Sequence, residues 1–150
     1  MFRKRFINTK VYYYFMIIRH QKITIVNVRK PVQRNINYEL QWLGTSLGLF
    51  NLRDKDKSCF RIFLELLKAA KSKKPLTSDE IASHLQLSRG TVIHHINKLM
   101  EAGLVINEKN KYMLRVDNLK MLISEVEKDI QRTLGDLKEV ASDIDEWMGL

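Results

Sequence analysis

The sequence predicts a mainly α-helical protein with one small β-hairpin and a long C-terminal helix. Three observations predict this fold class. Residues 77–103 contain two short helical patterns, each with its own capping residue and with a brief interruption between them. Residues 104–116 contain two β-prone runs around a polar tip. From residue 117 onward, apolar residues recur at alternating spacings of four and three, which is the repeat of a coiled-coil seam.

The first short helix starts at a capping box, Thr77-x-x-Glu80. In this motif the threonine hydroxyl accepts a hydrogen bond from the glutamate amide, and the glutamate carboxylate accepts one from the threonine amide. The inward face of the helix is apolar and consists of Ile81, Ala82 and Leu85. Gln86 and Leu87 interrupt the helical period, so we expect the helix to end there.

The second helix is predicted over residues 88–102, with Ser88 as its N-cap and Gly103 as its C-cap glycine. Its inward stripe consists of Val92, Ile96 and Leu99. Two helices joined by a short turn form a helix-turn-helix, whose second helix enters the DNA major groove. With a β-wing at residues 104–116, the pattern predicts a winged helix-turn-helix core followed by a long coiled-coil-like helix.

The same segment resembles winged helix-turn-helix transcriptional regulators, in particular ArsR-like ones. The resemblance covers about residues 60–116 and rests on the recognition segment SRGTVIHH (88–95) and its end KLMEAGLV (98–105). It implies a sequence-specific transcriptional regulator that binds double-stranded DNA as a homodimer. There are two departures from the family pattern. Gln86 stands at a turn position often filled by glycine, and the cysteine pair that binds metal in metal-sensing members is absent. Metal sensing is therefore not implied.

A rotation of about 100° per residue predicts which side chains of the second helix face DNA. Asn97, on the outward face, can bond adenine through two atoms, Arg89 can reach guanine or a phosphate, and Lys98 can bond a phosphate. For each residue alone, the competing interpretation is a solvent-exposed side chain. The predicted contacts on the helix are Ser88, Arg89, Gly90, Thr91, His94, Asn97 and Lys98, and those on the wing are Lys109, Lys111 and Arg115.

The C-terminal heptad is long enough to predict self-association. Its seam positions are Leu119, Ile123, Val126, Ile130, Thr133, Leu137, Val140, Ile144 and Trp147. All of them except Thr133 are predicted dimerisation residues. A lone winged helix is expected to be too small to cover this stripe. The alternative is packing of the seam on an N-terminal helix of the same chain.

Charge is distributed unevenly along the 150 residues, although the net charge is +9. Residues 1–35 contain nine Lys/Arg and no acidic residue, and residues 36–116 contain thirteen basic against eight acidic residues. Residues 117–150 contain four basic against nine acidic residues. The first two segments have the sign needed to meet phosphates, and the third has the opposite sign. The distribution predicts a DNA-facing part and a partner-facing tail.

Three segments are therefore expected. Residues 1–35 form a basic extension, in which residues 11–18 and 23–28 have the β-branched and aromatic composition of a β-hairpin. Competing interpretations are a signal peptide, disfavoured because the apolar run has only about eight residues, and a biological start at Met16. Residues 36–116 form the DNA-binding domain, and residues 117–150 form the dimerisation helix.

Two further helices are predicted before the helix-turn-helix. Apolar residues at helical spacing predict one over residues 38–50, which packs either on a dimer partner or on the core of its own chain. Ser58 is the predicted N-cap of another helix that extends to residue 71. Its predicted inward residues are Phe60, Phe63, Leu64, Leu67 and Ala70.

Composition argues against several other functions. The single cysteine, Cys59, excludes an intramolecular disulfide framework and suits the cytoplasm. No apolar run approaches the roughly 20 residues of a membrane-spanning helix. Because adjacent His94 and His95 diverge on a helix, no metal or other cofactor is expected, and no catalytic constellation is present. The alternative function is a protein–protein interaction module that assembles through the winged helix and the heptad helix, while RNA binding is disfavoured for lack of an aromatic stacking platform.

Overall fold

The computed structural model describes residues 20–150. These residues form a mostly helical fold with a small antiparallel sheet and a long C-terminal helix, which confirms the predicted fold class. In chain order the elements are α1 (Ile36–Ser46), α2 (Ser58–Lys71), β1 (Leu76–Thr77), α3 (Ser78–Leu85), α4 (Arg89–Glu101), β2 (Val105–Glu108), β3 (Lys111–Leu114) and α5 (Leu119–Met148). Within the described part of the chain, no helix combines the length and apolarity needed to span a bilayer.

The sheet has the order β1-β3-β2, and all of its pairings are antiparallel. Strands β2 and β3 form the wing, whose register runs from Val105 opposite Leu114 to Glu108 opposite Lys111. Lys109 and Asn110 form the two-residue turn, with φ of 51° and 62°. Positive φ at both positions is the type I′ geometry, which matches the right-handed twist of a hairpin. The wing tip is therefore a tight turn held clear of the core.

The core lies where α2 packs against α4 and β3. Its innermost side chains are fully shielded from solvent and include Ile62, Phe63, Leu66, Ile81, Val92, Ile96, Leu99 and Leu122. Leu122 comes from α5, and Val126 is also buried. The first third of α5 therefore belongs to the core of its own chain, whereas every residue from 131 to 150 is exposed. The expectation that the winged helix is too small to cover the heptad is wrong at Val126, whereas the seam residue Ile123 is 39% exposed.

Helix α1 is shorter than the predicted 38–50. Asn35 caps its start, since its Oδ1 accepts a hydrogen bond of 2.9 Å from the Asn37 amide. The helix ends at Ser46, and Gly48 at a φ of +70° turns the chain. The turn lets Leu49 enter the core as part of an irregular segment. Gly44 lies in the last turn of α1, directly against the ring of Phe60.

Helix α2 begins at Ser58, but its cap differs from the prediction. Ser58 is itself in the first turn and is buried, and the capping group is Asp54. The Asp54 carboxylate accepts hydrogen bonds of 3.0 Å from the amides of Ser58 and Cys59. The inward face is also rotated relative to the prediction, because α2 contacts both α4 and β3. Ile62 and Leu66 are buried, while the predicted Leu64 and Leu67 are half-buried.

The first strand of the predicted N-terminal hairpin, residues 11–18, lies outside the described residues. The second, residues 23–28, forms no strand. It instead contacts α1 through two hydrogen bonds, from the Val26 amide to the Ser46 carbonyl (2.8 Å) and from Trp42 Nε1 to the Val28 carbonyl (3.0 Å).

Two glycine-to-alanine substitutions in helices should have opposite effects on stability. A Cβ at Gly44 would lie 2.7 Å from two ring carbons of Phe60, so Gly44→Ala should destabilise the fold by about 1–3 kcal/mol. A Cβ at Gly135 meets nothing within 4 Å, so Gly135→Ala should stabilise α5 by about 1 kcal/mol. Chemical denaturation of both variants measures the difference. Equal effects of the two substitutions would contradict the packing of α1 on α2.

Candidate nucleic-acid interface

The recognition helix α4 starts at the predicted cap. Ser88 Oγ accepts a hydrogen bond of 3.1 Å from the Thr91 amide and lies 2.8 Å from Thr91 Oγ. The predicted inward stripe of the helix is fully buried. The opposite face is exposed and carries Gly90, His94, Asn97 and Lys98. An uninterrupted polar face on a helix anchored by its other side is the geometry needed to enter a groove.

The turn between α3 and α4 forms without glycine. Gln86 adopts the left-handed conformation, with φ of 55° and ψ of 44°, at the turn position that glycine often fills in the family it resembles. Arg61, from the first turn of α2, donates a hydrogen bond of 2.7 Å from Nη2 to the Leu85 carbonyl. A charged donor on a free carbonyl at a helix C-terminus stabilises the turn. The sequence did not predict this role for Arg61. The only indication of it in the sequence is a basic residue within a largely apolar helical segment.

Arg89 lies at the exposed start of α4. Its Nε is 3.7 Å from Asp79 Oδ1 in the first turn of α3, and both side chains are more than two-thirds exposed. An ion pair this long and this exposed contributes little to stability. The guanidinium is therefore available to exchange Asp79 for a phosphate or a base edge.

The adjacent histidines of α4 have different environments. His94 is exposed, whereas His95 is buried with its Nε2 3.8 Å from Asp54 Oδ2. Burial lowers the pKa of His95, and the Asp54 carboxylate opposes this shift only in part. His95 Nδ1 has no hydrogen-bond partner among residues 20–150. His95 is thus a neutral core residue that faces the loop before α2, and it does not belong to the exposed face.

The three predicted wing contacts separate into two groups. Lys109 and Lys111 are exposed at the tip, as expected for side chains that meet phosphates. Arg115 follows β3 and points back to α5, where its Nη1 lies 2.5 Å from Asp129 Oδ2 and its Nη2 lies 3.6 Å from Glu125 Oε2. The structure therefore corrects the interpretation of Arg115. Its guanidinium pairs with carboxylates of α5, which attaches the wing to that helix, and is therefore not available to bind a phosphate.

Asp129 is the centre of this junction and is 3% exposed. It accepts hydrogen bonds from Arg115 Nη1 and Nη2, accepts another of 2.8 Å from Gln21 Nε2, and pairs with Arg132. The hydrogen bonds from Arg115 hold the pKa of Asp129 below its ordinary value, although burial raises it. Gly103 lies beside the junction at a φ of +79°, where a Cβ would be 2.3 Å from Gln21 Nε2. The end of α4, the wing, α5 and the N-terminal segment thus meet at one carboxylate.

Metal ligation has no support in the described part of the chain. No three His, Cys, Asp or Glu side chains of residues 20–150 lie close enough to hold one ion. The rings of His94 and His95 are 5.1 Å apart and inclined at 64°. Burial raises the pKa of the Cys59 thiol to about 11, so this cysteine is a protonated core residue.

An exposed polar recognition helix, a helix-turn-helix and a basic wing tip define a winged helix-turn-helix protein. Comparison with known families agrees, since residues 64–107 match the family described as bacterial regulatory protein, arsR family. The match runs from α2 through the helix-turn-helix into β2. The chain therefore carries an ArsR-like winged helix-turn-helix domain, which supports DNA binding in transcription regulation. No curated protein and no solved structure matches it.

His95 should make the fold sensitive to mild acid. Its pKa in the folded state lies below the ordinary 6.5, so the unfolded chain binds more protons once the pH falls below that value. The free energy of unfolding should therefore decrease between about pH 7 and pH 5, before the carboxylates titrate. His95→Gln should flatten this part of the profile. Denaturation curves across the range measure both slopes, and identical slopes would remove His95 as the cause.

Proposed function

We propose that the chain is a cytoplasmic, homodimeric regulator that reads a specific double-stranded DNA sequence. The observation that supports this best is the exposed face of α4, which carries Gly90, His94, Asn97 and Lys98 opposite a fully buried stripe. In this arrangement α4 enters the major groove and the wing tip meets the flanking backbone.

Each group on the face has a role that its chemistry suits. Asn97 presents an amide that bonds adenine through a donor and an acceptor. Lys98, at the edge of the face, bonds a phosphate. Ser88 and Thr91 stand beside the helix N-terminus, where the positive end of the helix dipole favours phosphate. Gly90 has no side chain, which lets the start of α4 approach the DNA backbone closely.

The homodimer proposal rests on the exposed part of α5. Residues 131–150 extend about 30 Å at 1.5 Å per residue, and all of them are exposed. The large apolar side chains of this segment include Leu134, Leu137, Val140, Ile144, Trp147 and Met148, each at least 45% exposed. A contiguous apolar stripe of this length on a soluble fold marks an interaction surface. Its heptad spacing favours a second copy of α5, which would place two recognition helices on successive turns of one duplex.

The same stripe supports one alternative, a module that binds a different protein through α5. The two functions predict different DNA-binding behaviour. A regulator binds one duplex sequence more tightly than others in a salt-dependent manner, whereas an assembly module does not.

Seam substitutions in α5 should separate the subunits without unfolding them. Leu137→Glu with Ile144→Glu places two charges in the proposed seam, far from the buried Leu122 and Val126. We expect a monomer by light scattering and much weaker binding to a selected DNA site. The matched control, Lys138→Gln with Ser142→Glu, changes the charge equally at positions outside the seam and should remain dimeric. A double seam variant that is still a dimer would move the interface to another surface, such as α1.

Base recognition and phosphate binding should be separable by substitution. Asn97→Ala should cost about 1–3 kcal/mol on a selected site with little change on random DNA, because it removes a base contact. Lys109→Gln with Lys111→Gln should weaken binding to both DNAs alike and lower the salt slope by about one to two units, because each phosphate contact releases close to one counterion. Binding isotherms at several salt concentrations test both variants. If Asn97→Ala weakened both DNAs equally, α4 would not read bases at that position.

A further inference from the structure

The loop between α1 and α2, residues 51–57 (NLRDKDK), is the most densely charged connection of the DNA-binding domain. Five of its seven residues are ionisable. Its side chains are exposed apart from Asp54, and Leu52 is fully exposed. The proposed contacts of α4 and of the wing make no use of this loop.

Asp54 fixes the loop to the protein interior. Its carboxylate accepts the amide hydrogens of Ser58 and Cys59 at 3.0 Å and lies 3.8 Å from His95 Nε2 of the recognition helix. Those amides hold the pKa of Asp54 below its ordinary value despite its burial, so the carboxylate stays charged. Because it is hydrogen-bonded to the start of α2, it does not pair with the cations of the loop. The outward charges of the loop are then three cations, Arg53, Lys55 and Lys57, and one carboxylate, Asp56.

The contact with His95 also fixes where these cations lie relative to α4. Thr91 and Lys98 are one turn away from His95 in either direction, on the flank that joins the buried stripe to the exposed face. Met100, on the other flank of the stripe, lines one cleft with Val105 and Ile106 of the wing. The loop and the wing therefore lie on opposite flanks of the recognition helix.

The electrostatics of the loop favour a polyanion. Arg53, Lys55 and Lys57 stand next to the N-terminus of α2, which carries partial positive charge. Lys98 of α4 acts electrostatically on Cys59 in the first turn of the same helix. Lys57 is held in the left-handed region at a φ of 53°, with its Nζ 5.7 Å from the centre of the Phe50 ring. Three exposed cations against one exposed carboxylate leave the loop with a net positive outward charge, which attracts a row of phosphates.

We propose that residues 51–57 form a second phosphate-binding surface, in which Arg53, Lys55 and Lys57 contact the backbone of double-stranded DNA on the side of α4 opposite the wing. The proposal rests on the proposed entry of α4 into the major groove. The recognition helix is then held between two backbone contacts, one from the wing tip and one from this loop. The surface contributes affinity and orientation and carries no base specificity.

The test uses the full-length chain and a random-sequence duplex of about 30 base pairs, with the dissociation constant measured at several salt concentrations. Arg53→Gln, Lys55→Gln and Lys57→Gln together should weaken binding by about 10- to 100-fold at low salt and lower the salt slope by about two to three units. The matched control neutralises three exposed cations of α5, Lys120, Lys128 and Lys138, and should leave the slope unchanged. A triple loop variant that binds like this control would overturn the proposal.

A single substitution distinguishes the loss of a phosphate contact from an effect on folding stability. Lys57→Gly removes one cation at a φ that glycine adopts without strain, so the unfolding temperature should not fall. The salt slope should nevertheless decrease by about one unit. An unchanged slope would count against the loop. If the natural chain bound no duplex, the proposed function itself would fail, whereas a slope that responds to Lys109 and Lys111 but not to residues 51–57 would reject only this second surface.

Discussion

Asp129 keeps its charge in a buried position because Gln21, Arg115 and Arg132 all donate to it. A buried carboxylate is costly unless such donors surround it, so its presence requires all of these elements to meet in one arrangement. Through Arg115 it fixes the base of the wing, and through its own helix it fixes the direction in which α5 leaves the core. The relative placement of the two outward-facing parts of the chain depends on this contact.

The long C-terminal helix consequently has two halves with different physical roles. The first inserts Leu122 and Val126 beneath the winged helix, and the second carries an apolar stripe into solvent. Because one continuous helix contains both, a partner bound to the distal half is joined rigidly to the core. The distal half is also acidic, with five acidic residues against one basic residue from 133 to 150. That charge disfavours contact between the distal half and phosphates.

The proposed DNA-binding surface rests on neutral, well-packed residues. His95, on the inner side of the recognition helix, is buried and neutral, and Cys59 of α2 is a buried, protonated thiol. The exposed cations of the wing tip and of residues 51–57 lie on either flank of α4. Arg61 and Asp54 complete the ends of α3 and α2, so the helices that position the exposed face have satisfied termini.

Local sequence was sufficient to predict the features whose partners are three or four residues apart. The capping box of Thr77 and Glu80, the Ser88 cap and the buried stripe of α4 are all confirmed, because hydrogen bonds and side-chain spacing within one helical turn follow from the order of residues alone. The role of Arg115, the cap from Asp54, the support from Arg61 and the division of the heptad between core and solvent were decided by the tertiary structure. Gln21 and Asp129 are 108 positions apart, and Arg61 is 24 from the carbonyl that it binds. The contacts between residues distant in sequence depend on how the helices pack against one another. The periodicity of apolar residues along the chain does not specify that packing.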